Sequence, residues 1–293
     1  GFLGFLGTGG MSLEEIKKNI EFIQNKLSHN ESYGMNLLCN LYYPEREMET
    51  VKLFLEHKID KIEAAAFMQM TPALVLYRLS GLSQDHAGNV KCAHKIIAKV
   101  SRPEVAQAFM SPAPEVLVTK LVAMGQITPE QAELSKTVPM SQDICLEADS
   151  GGHTDQGVAS VLVPSIQSLR QEIMKKYEYT EPLRIGLAGG IGTPEAAAAA
   201  FIMGADFILT GSINQCTVEA GISDSVKNLL QDINIQDTDY APAGDMFEIG
   251  AKVQVLKKGV FFPARANKLY MLYSHYGSLE EIPIATKKQL EDK

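Results

Sequence analysis

Ile144-Cys145-Leu146-Glu147-Ala148-Asp149-Ser150-Gly151-Gly152-His153-Thr154-Asp155 is an apolar run that gives way to two glycines, one imidazole and acidic side chains. Ile144–Ala148 reads as a buried strand, and the polar residues fall where it ends. Adjacent glycines let the backbone turn sharply and let a flat ligand approach, because no Cβ stands in the way. A histidine on such a turn exchanges protons near neutral pH or simply caps a polar loop, and the stretch alone leaves both readings open. Functional side chains at the ends of buried strands are the pattern of α/β barrels, so the question becomes whether the rest of the chain repeats this strand.

It does. Apolar runs at Phe2–Leu6, Met35–Leu41, Lys61–Ala66, Lys95–Val100, Leu183–Ala188 and Asp206–Thr210 share its length and composition. Helical patterns lie between them. Ser12 with Glu15 has the spacing of a capping box. Helix-like spacing continues through Met48–Glu56, and Thr71-Pro72 and Arg102-Pro103 place proline at the first helical position. Two further helices, Pro114–Met124 and Pro129–Leu134, form an insert, and longer patterns cover Ala159–Lys176 and Pro194–Met203. Apolar strands each trailed by a helix mean parallel strands buried on both faces. The expected fold is α/β, a TIM-type (β/α)8 barrel rather than an open doubly wound sheet. The chain opens inside its first strand-like run without an initiator methionine, so one strand is expected upstream of Gly1 to complete eight. Residues 1–232 are assigned to the barrel. Residues 233–293 are assigned to a helical extension, with helices over Met246–Leu256 and Ala266–Tyr276.

Composition narrows the function. The chain has 293 residues, 45% hydrophobic and 21% charged, as in an ordinary globular enzyme. A formal net charge of −8 argues against nucleic acid as a partner. Cys39, Cys92, Cys145 and Cys216 lack paired zinc spacing, so no metal site is expected. No apolar stretch is long enough for a bilayer, and a cytoplasmic, membrane-free protein is expected. The opening Gly7-Thr8-Gly9-Gly10 invites a dinucleotide-binding reading, but Ser12 stands where the third small residue belongs.

A second cluster of signals lies at Ala188-Gly189-Gly190-Ile191-Gly192-Thr193-Pro194-Glu195. Thr193 suits a helix N-cap, Pro194 the first helical position, and the preceding glycines offer backbone N–H groups. Exposed amides and the positive end of a helix make a phosphate site. Thr210-Gly211-Ser212 ends the next strand, and barrels often hold phosphate with the loops after their last two strands. The alternative is a tight, well-capped connection. Other strand ends suit one mouth. Gly7, Thr8 and Gly9 offer backbone amides to a flat ring, and Asn40 offers an amide to a heterocycle edge. Lys99, late in an apolar strand, either meets a ligand anion or snorkels to the surface, with Glu147 as an alternative structural partner.

Several of these stretches together resemble a known family. They are Gly4-Phe5-Leu6-Gly7-Thr8-Gly9, Glu147 to Asp155, Leu187 to Glu195 and Thr210-Gly211-Ser212. The combination is similar to the FMN-dependent nitronate monooxygenase/enoyl reductase superfamily. Ile62 to Val75, Ile96 to Ala106 and Gly244 to Gly259 extend the likeness over nearly the whole chain. Within the superfamily it is nearest the enoyl reductases of trans-acyltransferase polyketide synthases and polyunsaturated fatty acid synthases.

The resemblance implies FMN as cofactor and NADPH or NADH as hydride donor. The implied activity is reduction of the α,β-double bond of an enoyl thioester on acyl carrier protein, in partnership with polyketide synthase modules. It implies that His153 lies beside the flavin as the catalytic group. Gly189, Gly190, Gly211 and Ser212 would hold the phosphate, Ser212 standing where relatives often have threonine. Gly7, Thr8 and Gly9 would back the isoalloxazine, with Asn40 a polar contact and Lys99 near the ring. Nitronate monooxygenase-type oxidase chemistry and a non-catalytic phosphate-binding barrel are the alternatives. Tyr240, Phe261 and Phe262 would either contact an acyl chain or pack helices. Lys257-Lys258 and Lys287-Lys288 would either attract an acidic carrier protein or form solvated faces.

Overall fold

The computed structural model describes residues 1–27 and 31–291. By backbone proximity the chain divides into two compact units. The first comprises Gly1–Glu147, Ala159–Leu187 and Ala197–Leu209; the second comprises Ala148–Val158, Ala188–Ala196 and Thr210–Lys293.

The first unit is built on strands β1 (Gly4–Leu6), β2 (Tyr33–Leu38) and β3 (Lys61–Ala65). A short antiparallel hairpin, β4 (Leu82–Gln84) with β5 (Val90–Cys92), precedes β6 (Lys95–Val100) and β7 (Asp143–Glu147). The two-residue β8 (Gly152–His153) belongs to the second unit, and β9 (Arg184–Ala188) and β10 (Phe207–Leu209) return to the main sheet. That sheet has seven strands in the order β1-β2-β3-β6-β7-β9-β10. Neighbours from β1 to β7 pair in parallel, each reached through a helix, and the fold is a TIM-type α/β fold.

The local chemistry explains the alternation. Ser12 and Glu15 close a reciprocal capping box at the start of Leu13–Lys26. Pro44, Pro72, Pro103 and Pro129 each sit in the first turn of a helix, where the missing N–H costs nothing. Met35, Leu37, Ile62, Ala64, Ile96, Ala98, Ile144, Leu146, Ile185 and Leu187 are buried on the strands. Ile20, Phe54, Leu74, Phe109 and Ile166 cover them from the helices. The β4–β5 hairpin was not legible, because its strands are only three residues long and half polar. Its turn is tied by Asp85, which accepts from the backbone N–H groups of Ala87 and Asn89.

The second unit contains an antiparallel three-stranded sheet, ordered β11 (Thr238–Pro242), β12 (Lys252–Leu256) and β8. It also carries helices Asp224–Gln231, Phe262–His275 and Ile284–Glu291. The helix expected over Met246–Leu256 is not there. Gly244–Met246 makes one 3-10 turn and Lys252–Leu256 is a strand. Gly250 at φ +69° leaves the helical region, and Val253 and Val255 favour a pleated partner over a helical one. The helix expected over Ala266–Tyr276 forms, starting earlier, at Phe262. Among the described residues, no helix is long and apolar enough to cross a membrane.

Candidate functional site

In the second unit the glycine turns are tied to the stretch from Ala148 to Gly151 that leads into His153. Ala148 N–H donates to Ala188 O at 2.9 Å, joining the ends of two strands just where their polar loops begin. Gly189 has φ +92°, and a Cβ on it would stand 2.3 Å from Ala148 O. Only glycine fits that turn. Gly190 follows at φ +71° with open space where a Cβ would be. Behind them Thr193 accepts from Ala196 N–H at 3.2 Å and opens helix Pro194–Ile202. Gly211 precedes the 3-10 turn Ser212–Cys216, and the Ser212 hydroxyl donates to Gly151 O at 3.3 Å. The donors are backbone amides, a hydroxyl and a helix N-terminus, with the Glu195 carboxylate in that helix's first turn, and these donors suit a phosphate group.

His153 sits on β8, paired with Val253 of β12, and Thr154 N–H donates to Lys252 O at 3.1 Å. Asp149 anchors the same turn. It accepts from Thr154 Oγ1 at 2.6 Å, from Gln254 Nε2 at 3.1 Å and from the Tyr240 hydroxyl. Tyr240 thereby serves the histidine turn, while Phe261 and Phe262 are exposed. The ring nitrogen Nε2 of His153 lies 2.9 Å from Asp245 Oδ1 on the 3-10 turn. The hydrogen bond with His153 holds the Asp245 carboxyl below the usual carboxylate range.

In the first unit a polar ladder runs from Thr8, just past β1, across β2, β3, β6 and β7. The Thr8 hydroxyl donates to Asn36 O at 2.9 Å, and Asn36 Nδ2 donates to Glu63 Oε2 at 3.2 Å. Lys99 Nζ then lies 3.0 Å from Glu63 Oε1 and 3.0 Å from Glu147 Oε1. Burial opposes the charge on Lys99, but the Glu147 and Glu63 carboxylates outweigh it and raise its proton affinity. The lysine is therefore already compensated, by the Glu147 pairing that the sequence left open and by Glu63. Gly7 and Gly9 flank Thr8 on exposed backbone. Asn40 is occupied locally: its side chain accepts from Tyr43 N–H at 2.9 Å, and its N–H donates to buried Glu47 at 3.0 Å.

The structure thus brings Thr8 and Lys99 into one network, and Gly151, Ser212, Gly189 and His153 into the loops of one unit. Asn40 belongs to neither. Sequence reasoning passed over Glu63, Asn36, Asp245 and Gln254. Glu63 had a signal: like Lys99, it is a charge stranded in an apolar run, and two such charges on nearby strands call for each other. Asp245 had none beyond lying in a stretch of the family resemblance.

No family model matches the chain. It is 58% identical over 293 residues to the polyketide biosynthesis protein PksE of Bacillus subtilis, covering all of this chain and 38% of that protein. It is 45% identical to a Thraustochytrium polyunsaturated fatty acid synthase subunit, covering 99% of this chain and 20% of that one. The chain therefore spans well under half of these curated relatives. Among solved structures it superposes on the enoyl reductase domain of MlnA, from the macrolactin biosynthesis cluster of Bacillus amyloliquefaciens. The TM-score is 0.94 at 47% identity, over 99% of this chain and 66% of that one.

Proposed function

Because the chain belongs to the FMN-dependent enoyl reductase family of trans-acyltransferase polyketide and polyunsaturated fatty acid synthases, we propose that it reduces the α,β-double bond of an enoyl thioester presented on acyl carrier protein. The cofactors in this reading are FMN and NADPH or NADH. The observation that carries it is the Gly189-Gly190 turn, where a Cβ would strike Ala148 O and where a capped helix begins. That cradle suits the phosphate of a flavin mononucleotide.

The chemistry FMN supplies when bound is hydride relay from a reduced nicotinamide to the β-carbon of the alkene. The chain's own residues bind and move protons. Gly189, Gly190, Gly211 and Ser212 hold the phosphate through backbone amides and one hydroxyl. Gly7, Thr8 and Gly9 present backbone to the flat ring, and Asn40, whose side-chain oxygen accepts from Tyr43 N–H, would meet its edge through the side-chain NH2. Lys99 lends a fixed cation, held in place by Glu63 and Glu147. His153 gives the α-carbon its proton and stabilises the charge that develops on the thioester oxygen. Surface lysines such as Lys257 offer an acidic carrier protein an electrostatic approach.

The test is to purify the protein, load it with FMN, and supply NADPH with a crotonyl thioester or alkyl nitronate with oxygen. Thioester-dependent NADPH consumption, lowered in His153→Ala while flavin stays bound, supports the reading. Nitronate oxidation with no thioester turnover refutes it.

A further inference from the structure

Asp245 lies 92 residues beyond His153, and no sequence pattern joins them, yet their side chains meet at 2.9 Å. The backbone of His153 is fixed from both sides, by the β8–β12 pairing and by Asp149 beneath the turn. A fixed backbone still lets an imidazole rotate about χ1 and χ2. Asp245 supplies the contact that stops it. Its own position is set by the 3-10 turn Gly244–Met246, and Ala243 N–H closes that turn on Ala251 O at 2.7 Å. The pair is exposed, 52% for His153 and 65% for Asp245. Exposed ion pairs add little to stability, so the contact is poorly explained as a device for holding the fold.

The chemistry of the contact is directional. A carboxylate can only accept, so the nitrogen facing Asp245 must carry a hydrogen. We propose that Asp245 is a positioning residue that keeps Nε2 of His153 protonated, so that Nδ1 is the nitrogen that hands a proton to substrate. This rests on the reading of His153 as the proton donor. In that step the Nδ1–H bond of the imidazolium breaks. The proton joins the α-carbon through the electron pair left there when hydride adds to the β-carbon. The ring is left neutral with its hydrogen on Nε2, still bound to Asp245, and Nδ1 is reprotonated from solvent. Without Asp245 the ring turns freely, and either nitrogen faces the substrate.

The experiment uses 15N NMR of the histidine rings in the full chain without substrate, with the His153 signals identified by their loss in His153→Gln. At a pH where the ring is neutral, the wild type should show Nε2 protonated and Nδ1 bare. Asp245→Asn should lower the ratio of that tautomer to the other about fivefold, and Asp245→Glu should restore it. In the FMN-loaded protein Asp245→Asn should reduce kcat about tenfold with KM unchanged. A ring protonated at Nδ1 in the wild type, or a tautomer ratio indifferent to Asp245→Asn, overturns the proposal whatever the activity. A ratio that responds while His153→Ala retains full turnover leaves Asp245 as the partner of the ring but removes the proton-donor role, and with it Nδ1 as the working nitrogen.

Discussion

Replacing Lys99 with methionine keeps the length and apolar stem of the side chain and removes only the charge between Glu63 and Glu147. Each carboxylate oxygen lies 3.0 Å from Nζ. The two oxygens are therefore at most about 6 Å apart, and at an effective dielectric of about 20 their repulsion is roughly 3 kcal/mol. Glu147 is 38% exposed, so solvent screening trims this. The expected loss is about 2 kcal/mol at pH 7 to 8. In the wild type the proton affinity of Lys99 is raised on folding. Its stabilisation is thus fully present below the ordinary lysine pKa and is lost only as pH rises through the folded value. The wild-type contribution is flat from pH 5 to 9. The variant behaves otherwise: two crowded carboxylates raise each other's proton affinity, one takes a proton on acidification, and the penalty fades towards pH 5. The chain has no tryptophan, so far-UV circular dichroism during urea unfolding is the suitable readout. The midpoint should fall by about 1 M with the slope unchanged. Adding Glu63→Gln should return most of the loss, because the repulsion is gone and the new amide oxygen still accepts from Asn36. A midpoint unmoved at pH 8, or a loss equal at pH 5 and pH 8, refutes this electrostatic explanation.

Gly189→Ala should weaken FMN binding at least about tenfold and lower the melting temperature. An L-residue at that left-handed φ is strained, and its Cβ would displace Ala148 O. Calorimetric titration with FMN checks this, and unchanged affinity contradicts the assignment of the phosphate turn. Arg78→Lys should cost about 2 kcal/mol in urea unfolding. The buried guanidinium donates twice to Pro139 O and once to His94 O, and an ammonium does not reproduce that fork. A loss below about 0.5 kcal/mol contradicts it.

The alternation of strand and helix was legible because a strand buried on both faces has no choice but to be apolar, and the prolines and caps mark where each helix starts. Lys61–Ala66, Lys95–Val100 and Ile144–Ala148 needed little more than reading. The tail was harder. Lys252-Val253-Gln254-Val255-Leu256 alternates as a strand does, but its buried polar face, Gln254, is explained only by Asp149. Long-range partners of that kind leave no trace in local periodicity. The same holds for the site. Gly189 and His153 announce themselves by residue type, whereas Asp245 and Tyr240 act through positions about 90 residues away. Lys99 drew notice for its charge, and Glu147 was one of the partners its sequence context offered, whereas Glu63 on the other neighbouring strand became visible only in the structure.

The most direct test of enoyl reduction is to mix FMN-loaded protein anaerobically with one equivalent of NADPH, then add crotonyl thioester on acyl carrier protein and follow the flavin absorbance. An enoyl reductase loses the oxidised flavin band with NADPH, regains it on adding the thioester, and yields one equivalent of the saturated acyl product. A band that NADPH bleaches but only oxygen restores, with the crotonyl group unchanged, contradicts it.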